Sequence, residues 1–242
     1  MQPRNARPSN PVAIREMAGL SLPARRAARE IRLTKLPPRR DDPLALSSRA
    51  TERLKAVSRK PAKYWITADE YERMGHAGVF GAAARLELLE GEIFEMSPIG
   101  SPHAACVKFL SNFLNRQFAG KLIVGVQDPV RLDDFSEPQP DVALLGWSAD
   151  FYRGSHPTPA DVLLLVEVAD STVETDRSYK LPLYAQAGVA EVWIVNLPGE
   201  VIEVYAEPRE GAYQTARIYA RGESARSETV PGLAVGVSEV MG

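Results

Sequence analysis

Residues 162–185, VLLLVEVADSTVETDRSYKLPLYA, place an apolar strand, an acidic residue and a helical pattern in direct succession. Five apolar residues run straight into Glu167, which is typical of a strand buried on both faces. From Asp176 to Gly188 a ladder of residues recurs every four positions, which predicts one face of a helix over about 176–187. Strands mixed with helices, several of the strands wholly apolar, favour an α/β or α+β domain.

Glu167 is the feature of this stretch that needs a chemical explanation. A carboxylate in a buried strand is costly unless it is paired with a cation or bound to a metal. Asp141 raises the same question at the start of a second apolar strand, Val142–Leu145. If the two strands are neighbours, both carboxylates converge on one hard cation such as Mg²⁺, which prefers carboxylate oxygens and water. On the predicted helix, Lys180 could point back toward the same strand ends.

Composition places the chain among ordinary globular proteins. It has 242 residues, 45% of them hydrophobic and 25% charged, enough for one sizeable core and an appendage. No apolar run reaches the roughly 18 residues of a membrane span, and the N-terminus has no apolar signal region, so a cytoplasmic location is expected. Cys106 is the single cysteine, which excludes an internal disulfide and predicts a buried, inert thiol.

Charge divides the chain into two parts. Residues 1–63 hold 16 Lys/Arg against 5 Asp/Glu, a net charge of +11, whereas residues 64–242 hold 13 against 26, a net charge of -13. The basic part has no aromatic residue and is rich in Pro, Arg and Ala. Such a composition predicts a disordered extension. A basic arm suits phosphate contacts, and an accessory extension without function is an equal alternative.

Order is expected from about Tyr64. Thr67 and Glu70 form a capping box that predicts a short helix, and Glu90-Gly91 predicts a tight hairpin turn between two strands. The remaining predicted elements are a helix over His103–Phe118 and strands at Leu122–Val126, Pro129–Leu132, Val142–Leu145, Val162–Val168, Glu191–Asn196 and Val201–Tyr205. Residues 206–242 are expected to form short strands and loops. His76 and His156 have no partner pattern and are expected in loops.

Two further side chains extend the candidate site. Glu87 lies on the first hairpin strand, opposite in alternation to its apolar neighbours, and His103 begins the next helix. Acids and a lysine around Mg²⁺ suit hydrolysis of a phosphodiester, because the metal acidifies water and the lysine offsets charge on the phosphoryl oxygens. The sequence therefore predicts a Mg²⁺- or Mn²⁺-dependent hydrolase.

Six motifs, in order, are similar to those of a known family. They are Arg85-Leu-Glu-Leu-Leu-Glu-Gly-Glu92, Met96-Ser-Pro-Ile-Gly100 with His103, Gln139-Pro-Asp141, Val166-Glu-Val168, Asp176-x-x-x-Lys180, and Tyr184-Ala-x-x-Gly-Val-x-Glu-Val-Trp193. From about Tyr64 to Tyr205 the chain resembles the Uma family of putative restriction endonucleases, within the PD-(D/E)XK nuclease superfamily. The resemblance implies a mixed sheet flanked by helices over residues 64–242, with one metal-binding edge.

The resemblance also implies roles for individual residues. Asp141 would be the acid of the Pro-Asp motif and Glu167 the acid of the Glu-x-Lys motif. Val168 would lend its carbonyl to the metal, and Glu87 would be an additional acid. The superfamily's usual lysine position holds Ala169 here.

The family resemblance places the catalytic lysine on the following helix instead. Lys180 matches that position. Pro182 follows it, and inside a helix it would remove a hydrogen bond, unless the helix begins only near Lys180.

Structural interpretations stand beside these functional ones. Asp141 is also suited to a turn after Pro140, and Glu87 to an exposed hairpin carboxylate. Glu167 and Lys180 would also make a buried structural ion pair, and Asp176 is expected to form an ordinary surface pair with Lys180.

Three other residues have alternative interpretations. His103 is suited equally to packing at the helix start and to a phosphate or water contact. Tyr184 and Trp193 are expected to pack, with Tyr184 available to bond a site carboxylate or contact substrate.

The resulting hypothesis is a metal-dependent DNA endonuclease with Asp141, Glu167 and Lys180 at its centre. Two alternatives are a nucleic-acid-binding module that kept the fold without turnover, and an interaction protein whose acids form only salt bridges. DNA is the expected partner and Mg²⁺ or Mn²⁺ the expected cofactor. A homodimer is a further hypothesis, because two active sites cut two strands most easily.

Overall fold

A computed structural model of the protein describes residues 61–81 and 83–242. The predicted N-terminal extension lies outside these residues, except for its last three. The helices are α1 (Ala68–His76), α2 (Ser101–Phe118), α3 (Val173–Thr175), α4 (Leu181–Ala187) and α5 (Val237–Met241). The strands are β1 (Leu86–Leu89), β2 (Glu92–Glu95), β3 (Ile123–Gly125), β4 (Val142–Leu145), β5 (Val162–Ala169), β6 (Glu191–Asn196), β7 (Val201–Arg209), β8 (Ala212–Ala220), β9 (Ser224–Arg226) and β10 (Ala234–Gly236).

Six strands form one mixed sheet in the order β3-β4-β5-β6-β7-β8. β5 and β6 are parallel and are joined through the helical segment that begins with α3, whereas the other neighbours are antiparallel. Because β4 runs against β5, the start of β4 lies beside the end of β5, with Val142 opposite Val166. The fold therefore brings Asp141, just before β4, next to Glu167, as the hypothesis of neighbouring strands requires.

Helices cover both faces of this sheet. On one face Leu164 and Val166 pack with Leu110 and Leu114 of α2. On the other face Leu165 packs with residues of α4. Glu167 is two positions after Leu165, so its side chain faces the α4 side. The expected fold class, a mixed sheet flanked by helices, is confirmed.

The hairpin before α2 is built as predicted. Glu90 and Gly91 both have positive φ, +49° and +74°, as a two-residue type I′ turn requires. The turn also meets another part of the chain, because the Gly91 carbonyl accepts a hydrogen bond from the Ile66 amide at 3.0 Å. A Cβ on Gly91 would lie 2.9 Å from the Cβ of Trp65. Glycine is needed here for both backbone conformation and space.

Gly91→Ala is expected to lower the free energy of unfolding by about 2–3 kcal/mol, combining left-handed strain with a clash. Gly211→Ala is the matched control, because Gly211 has φ +76° and open space around its Cβ position. We expect the control to lose only about 1 kcal/mol. Urea unfolding at pH 7 measures both. Equal losses in the two variants would exclude the contact with Trp65 as a constraint.

Several predicted elements are wrong or incomplete. Residues 129–132 form a loop instead of a strand, because their amides bond to scattered carbonyls, Val130 to Pro138 and Arg131 to Pro157. Residues 206–242 hold the nine-residue β8 and the helix α5, so short strands and loops describe them only in part. His76 ends α1 instead of lying in a loop.

The helix predicted over 176–187 begins earlier and changes type along its length. α3 is followed by a π-helical turn at Asp176–Lys180 and then by α4, which ends at Gly188 with φ +82°. In the π turn the Leu181 amide donates to the Asp176 carbonyl, five residues back. Pro182 follows directly, and the wider turn accommodates a residue that has no amide to donate. The proline therefore does not break the helix.

Two remaining expectations concern burial and membranes. Cys106 is 2% exposed, and burial followed by the charge of Asp141 raises the pKa of its thiol to about 12. The prediction of a buried thiol is confirmed, and the raised pKa agrees with the prediction that it is inert. Among the residues described, no helix combines the length and the apolar character needed to cross a bilayer.

Candidate active site

The acidic residues singled out in the sequence line one pocket at the end of β5. Glu87 comes from β1, Asp141 from the residue before β4, and Glu167 and Val168 from β5. His103 enters from the first turn of α2. Asp176 and Lys180 enter from the π turn, so residues distant in the chain meet in one place. All of these except His103 are buried.

Asp141 is held by three hydrogen bonds. Its Oδ2 accepts from the backbone amide of Val168 at 2.9 Å and lies 3.0 Å from Nε2 of His103. Its Oδ1 accepts from the Gln127 side chain at 3.0 Å. Burial alone would raise the pKa of this carboxyl, but the bonds from His103 and Gln127 outweigh burial and lower it. Asp141 is therefore ionised and fixed in orientation.

Glu167 lies deeper, between an aromatic hydroxyl and an ammonium. The Tyr184 hydroxyl donates to Glu167 Oε1 at 2.6 Å, and Nζ of Lys180 lies 3.4 Å from the same oxygen. Burial is the main cause that raises the pKa of this carboxyl, and the positive charge of Lys180 opposes it. The expected bond from Tyr184 to a site carboxylate is confirmed.

Lys180 joins two of the acids. Its Nζ lies 3.0 Å from Oε2 of Glu87 as well as 3.4 Å from Glu167. Burial would lower the pKa of the ammonium, but the charges of Glu167 and Glu87 raise it above its ordinary value. The lysine reaches the acids from the helix, and it is protonated at neutral pH.

The backbone near Asp141 also holds Glu87. The Gln139 amide donates to Oε2 of Glu87 at 3.4 Å. Glu87 is 6% exposed, so the interpretation as an exposed hairpin carboxylate is wrong.

The interpretation of Asp176 as a surface residue is also wrong. Asp176 is 5% exposed, and its Oδ2 accepts from the Thr172 hydroxyl at 2.8 Å. The helical segment that contains the π turn packs behind the end of β5 and turns this residue inward. Burial raises the pKa of Asp176, and the charge of Lys180 opposes the rise. Asp176 is therefore a fourth buried carboxyl group in the pocket.

The carboxyl groups and the cations of the pocket do not balance. Four carboxyl groups are buried there against one buried ammonium, that of Lys180. The other charged residues that line the pocket are less buried and add two acids and one base, namely Glu95, Asp170 and Arg85. A divalent cation would offset the surplus of negative charge, and carboxylate oxygens are the donors that Mg²⁺ and Mn²⁺ prefer. The residues present therefore fit a hard dication.

Comparison with known proteins identifies the chain at this point. A family described as Uma2, putative restriction endonuclease, matches residues 68–238. The chain belongs to this family. The Uma2 match spans every element that supplies a pocket residue, from β1 to the π turn. No curated protein matches the sequence.

One solved structure has a similar fold, and a second is a weaker match. One is the crystal structure of a putative nuclease belonging to DUF820 from Anabaena variabilis ATCC 29413, with a TM-score of 0.57 and 13% identity, covering 73% of this chain and 97% of that one. The fold is therefore restriction-endonuclease-like. The type IIG restriction endonuclease BpuSI also matches, with a TM-score of 0.34 and 17% identity over 60% of this chain and 16% of that one.

Gln127 and Thr172 are pocket-supporting residues that the sequence did not indicate. Gln127 follows a three-residue strand and has φ +56°, a conformation that no local motif predicts. Thr172 precedes α3 and bonds to Asp176. The four-residue spacing between Thr172 and Asp176 was the available signal, because it places both on one helical face.

Proposed function

We propose that this Uma2-family chain is a metal-dependent endonuclease that hydrolyses phosphodiester bonds of DNA. The observation that carries the proposal is the convergence of Asp141, Glu167, Glu87 and Lys180 in one pocket of a restriction-endonuclease-like fold. Clustered acids with perturbed pKa values in a cleft are typical of functional sites. The family description, a putative restriction endonuclease, supports nucleic acid as the substrate.

Asp141, Glu167 and Glu87, with the carbonyl of Val168, would hold a Mg²⁺ or Mn²⁺ ion. When bound, such an ion supplies Lewis-acid chemistry, lowering the pKa of a water molecule and offsetting charge on the phosphoryl group. The protein prepares for this by keeping Asp141 ionised through His103 and Gln127. The Val168 amide also donates to Asp141, which ties this acid to the end of β5.

Lys180 is assigned to stabilising charge rather than to removing a proton. Its pKa is raised by the surrounding carboxylates, so at neutral pH it has no free electron pair with which to accept a proton. An ammonium among carboxylates can instead donate a hydrogen bond to a phosphoryl oxygen as negative charge develops there. It can also orient water that approaches the phosphorus.

His103 and Tyr184 take different roles. His103 contacts Asp141 through Nε2, and its Nδ1 is buried without a hydrogen-bond partner among the described residues, so a contact of His103 with water or a phosphate oxygen stays a prediction. Tyr184 is 1% exposed and its hydroxyl donates to Glu167. Tyr184 is therefore a positioning residue for Glu167, and we do not assign it a substrate contact.

The contacts of Lys180 also favour one alternative. Glu87, Lys180 and Glu167 already contact one another as a buried ionic cluster without a metal, as in a structural ion pair. A nucleic-acid-binding or protein-interaction module that kept the fold would look the same. Measurements of metal binding and of DNA cleavage distinguish a nuclease from such a module.

The Asp141→Asn variant tests the proposal. We expect wild-type protein to bind Mn²⁺ in calorimetry and to nick plasmid DNA, and the variant to lose both, with cleavage falling roughly a hundredfold or more. Glu210→Gln is the control, because Glu210 is exposed in the turn between β7 and β8. If the wild-type protein does not bind Mn²⁺, and if no cleavage depends on Asp141, the nuclease proposal is wrong. The alternative, a binding module, then remains.

A further inference from the structure

A second group of metal-ligating side chains lies outside the pocket. Glu72 of α1, Glu137 of the segment that enters β4, and His156 of the loop before β5 each bring one ligand atom within 4.8 Å of the other two. None of the three lines the candidate active site. The sequence separates them by 65 and 19 positions, so their meeting is a product of the fold.

Glu137 indicates that this group is more than a chance cluster of acids. It is 2% exposed, and within the described part of the chain its Oε2 has no hydrogen-bond partner. Its backbone is fixed by Leu88, whose carbonyl accepts the Glu137 amide at 2.7 Å. A buried carboxylate oxygen without a donor is costly. One oxygen of the Glu137 side chain is thus held without a donor beside two other ligand atoms.

The nearby Arg131 does not form an ion pair with the Glu137 carboxylate. The Arg131 guanidinium acts on it electrostatically but bonds to Asp69 at 2.6 Å and pairs with Asp134 at 3.6 Å. Burial, then the charge of Glu72 and a hydrogen bond with it, raise the pKa of the Glu137 carboxyl to about 7, against the opposing charge of Arg131.

The ligand set selects the class of cation. Two carboxylates and an imidazole offer oxygen and nitrogen donors, which suit Zn²⁺ and similar transition-metal ions better than Mg²⁺. Ligand atoms on a tetrahedral zinc lie about 3.4 Å apart, so side chains within 4.8 Å need only a small movement. Glu72 and His156 are partly exposed, which leaves access for the ion and for water.

We propose that Glu72, Glu137 and His156 bind a divalent transition-metal ion at a structural site separate from the candidate active site. The ion would join α1, the loop that holds His156 and the segment from Glu137 to Asp141. That segment already supports the pocket, since its Gln139 amide donates to Glu87. Metal binding at this second site stabilises the fold and the path of the chain into Asp141.

Zn²⁺ binding to the Asp141→Asn protein tests this site without relying on the active site. We expect calorimetry to find one Zn²⁺ per chain, and thermal unfolding to occur at higher temperature with Zn²⁺ than with EDTA. His156→Asn and Glu137→Gln, each added to this protein, should weaken binding by at least about tenfold. His76→Asn is the matched control, because His76 is exposed on α1 and lies outside the cluster.

Two results would overturn the site. One is absence of Zn²⁺ binding to the Asp141→Asn protein, and the other is unchanged affinity in both the His156→Asn and Glu137→Gln variants. His156→Asn keeps the test decisive if the buried Glu137 substitution fails to fold, since His156 is partly exposed. Cleavage is not a readout here, so this result is independent of the nuclease assay.

Discussion

Replacing Lys180 by Met is expected to reduce DNA cleavage by roughly a hundredfold to a thousandfold, the usual loss when one charge-stabilising donor is removed. Mn²⁺ binding should survive and tighten. The ammonium lies 3.0 Å from Glu87 and 3.4 Å from Glu167, so its removal frees both carboxylates from a competing cation. Plasmid nicking and calorimetry on the same protein measure the two effects, which have opposite signs.

Because cleavage should fall while Mn²⁺ binding tightens, the two measurements distinguish a catalytic role of Lys180 from a structural one. If Lys180 only balanced buried charge, the variant would lose stability, and its cleavage at saturating Mn²⁺ would recover to the wild-type rate. Lys108→Met is the control, because Lys108 is exposed on α2. Lys180→Arg, which keeps the charge but presents a planar head, serves if the Met variant does not fold. Full cleavage by folded Lys180→Met protein would remove this lysine from the mechanism.

Arg177→Met is expected to lower the free energy of unfolding by about 3 kcal/mol at pH 7. Arg177 donates through Nε to Glu203 at 2.9 Å and through a second nitrogen to the other carboxylate oxygen. Glu203 is 1% exposed, so the substitution strands a buried charge. Arg221→Met should change stability by less than about 1 kcal/mol, because its pair with Glu200 is exposed. Urea unfolding measures both losses.

The pH dependence of this loss follows from Glu203. Burial would raise the pKa of its carboxyl, but hydrogen bonds from Arg177, Tyr205 and Asn196 outweigh burial and lower it. Its contribution to stability is therefore present above the unfolded-state pKa and disappears as pH falls through the folded-state value. The Arg177→Met penalty should shrink at pH 4.

A second substitution gives an independent check on the same pair. In the double variant Arg177→Met with Glu203→Gln no charge is left unpaired. It should be more stable than Arg177→Met alone. A penalty that is the same at pH 7 and pH 4 would argue against a stranded carboxylate.

Short sequence patterns correctly predicted the elements that depend only on residues close together in the chain. The Thr67–Glu70 capping box, the Glu90-Gly91 turn and the apolar strand that contains Glu167 depend on neighbours within a few positions, and each is present. Residues 129–132 have the composition of a strand but form a loop. Their amides bond to Pro138, Pro157 and Ser136, partners that only the tertiary fold supplies.

Some residues of the candidate site could likewise be predicted from local sequence, and others depend on the tertiary fold. Asp141, Glu167 and Lys180 could be singled out because a charged residue beside an apolar strand is conspicuous in sequence. Asp176 was expected at the surface, since helical spacing reveals which residues share a face but not which way that face points. Glu137 and His156 gave no sequence signal at all. Their proximity depends on where α1 and two loops meet.

The π turn at Asp176–Lys180 has a consequence for how insertions act on this protein. One residue added to or removed from an α-helix rotates everything beyond it by about 100°. A turn that already holds an extra residue can absorb such a change locally, so α4 can stay seated on the sheet while Lys180 swings to another direction. A chain that lacks the extra residue of this turn would keep its core and the acids outside the helical segment, Glu87, Asp141 and Glu167. The Lys180 ammonium would no longer point at these acids, so the protein would be well folded but its candidate active site would be inactive.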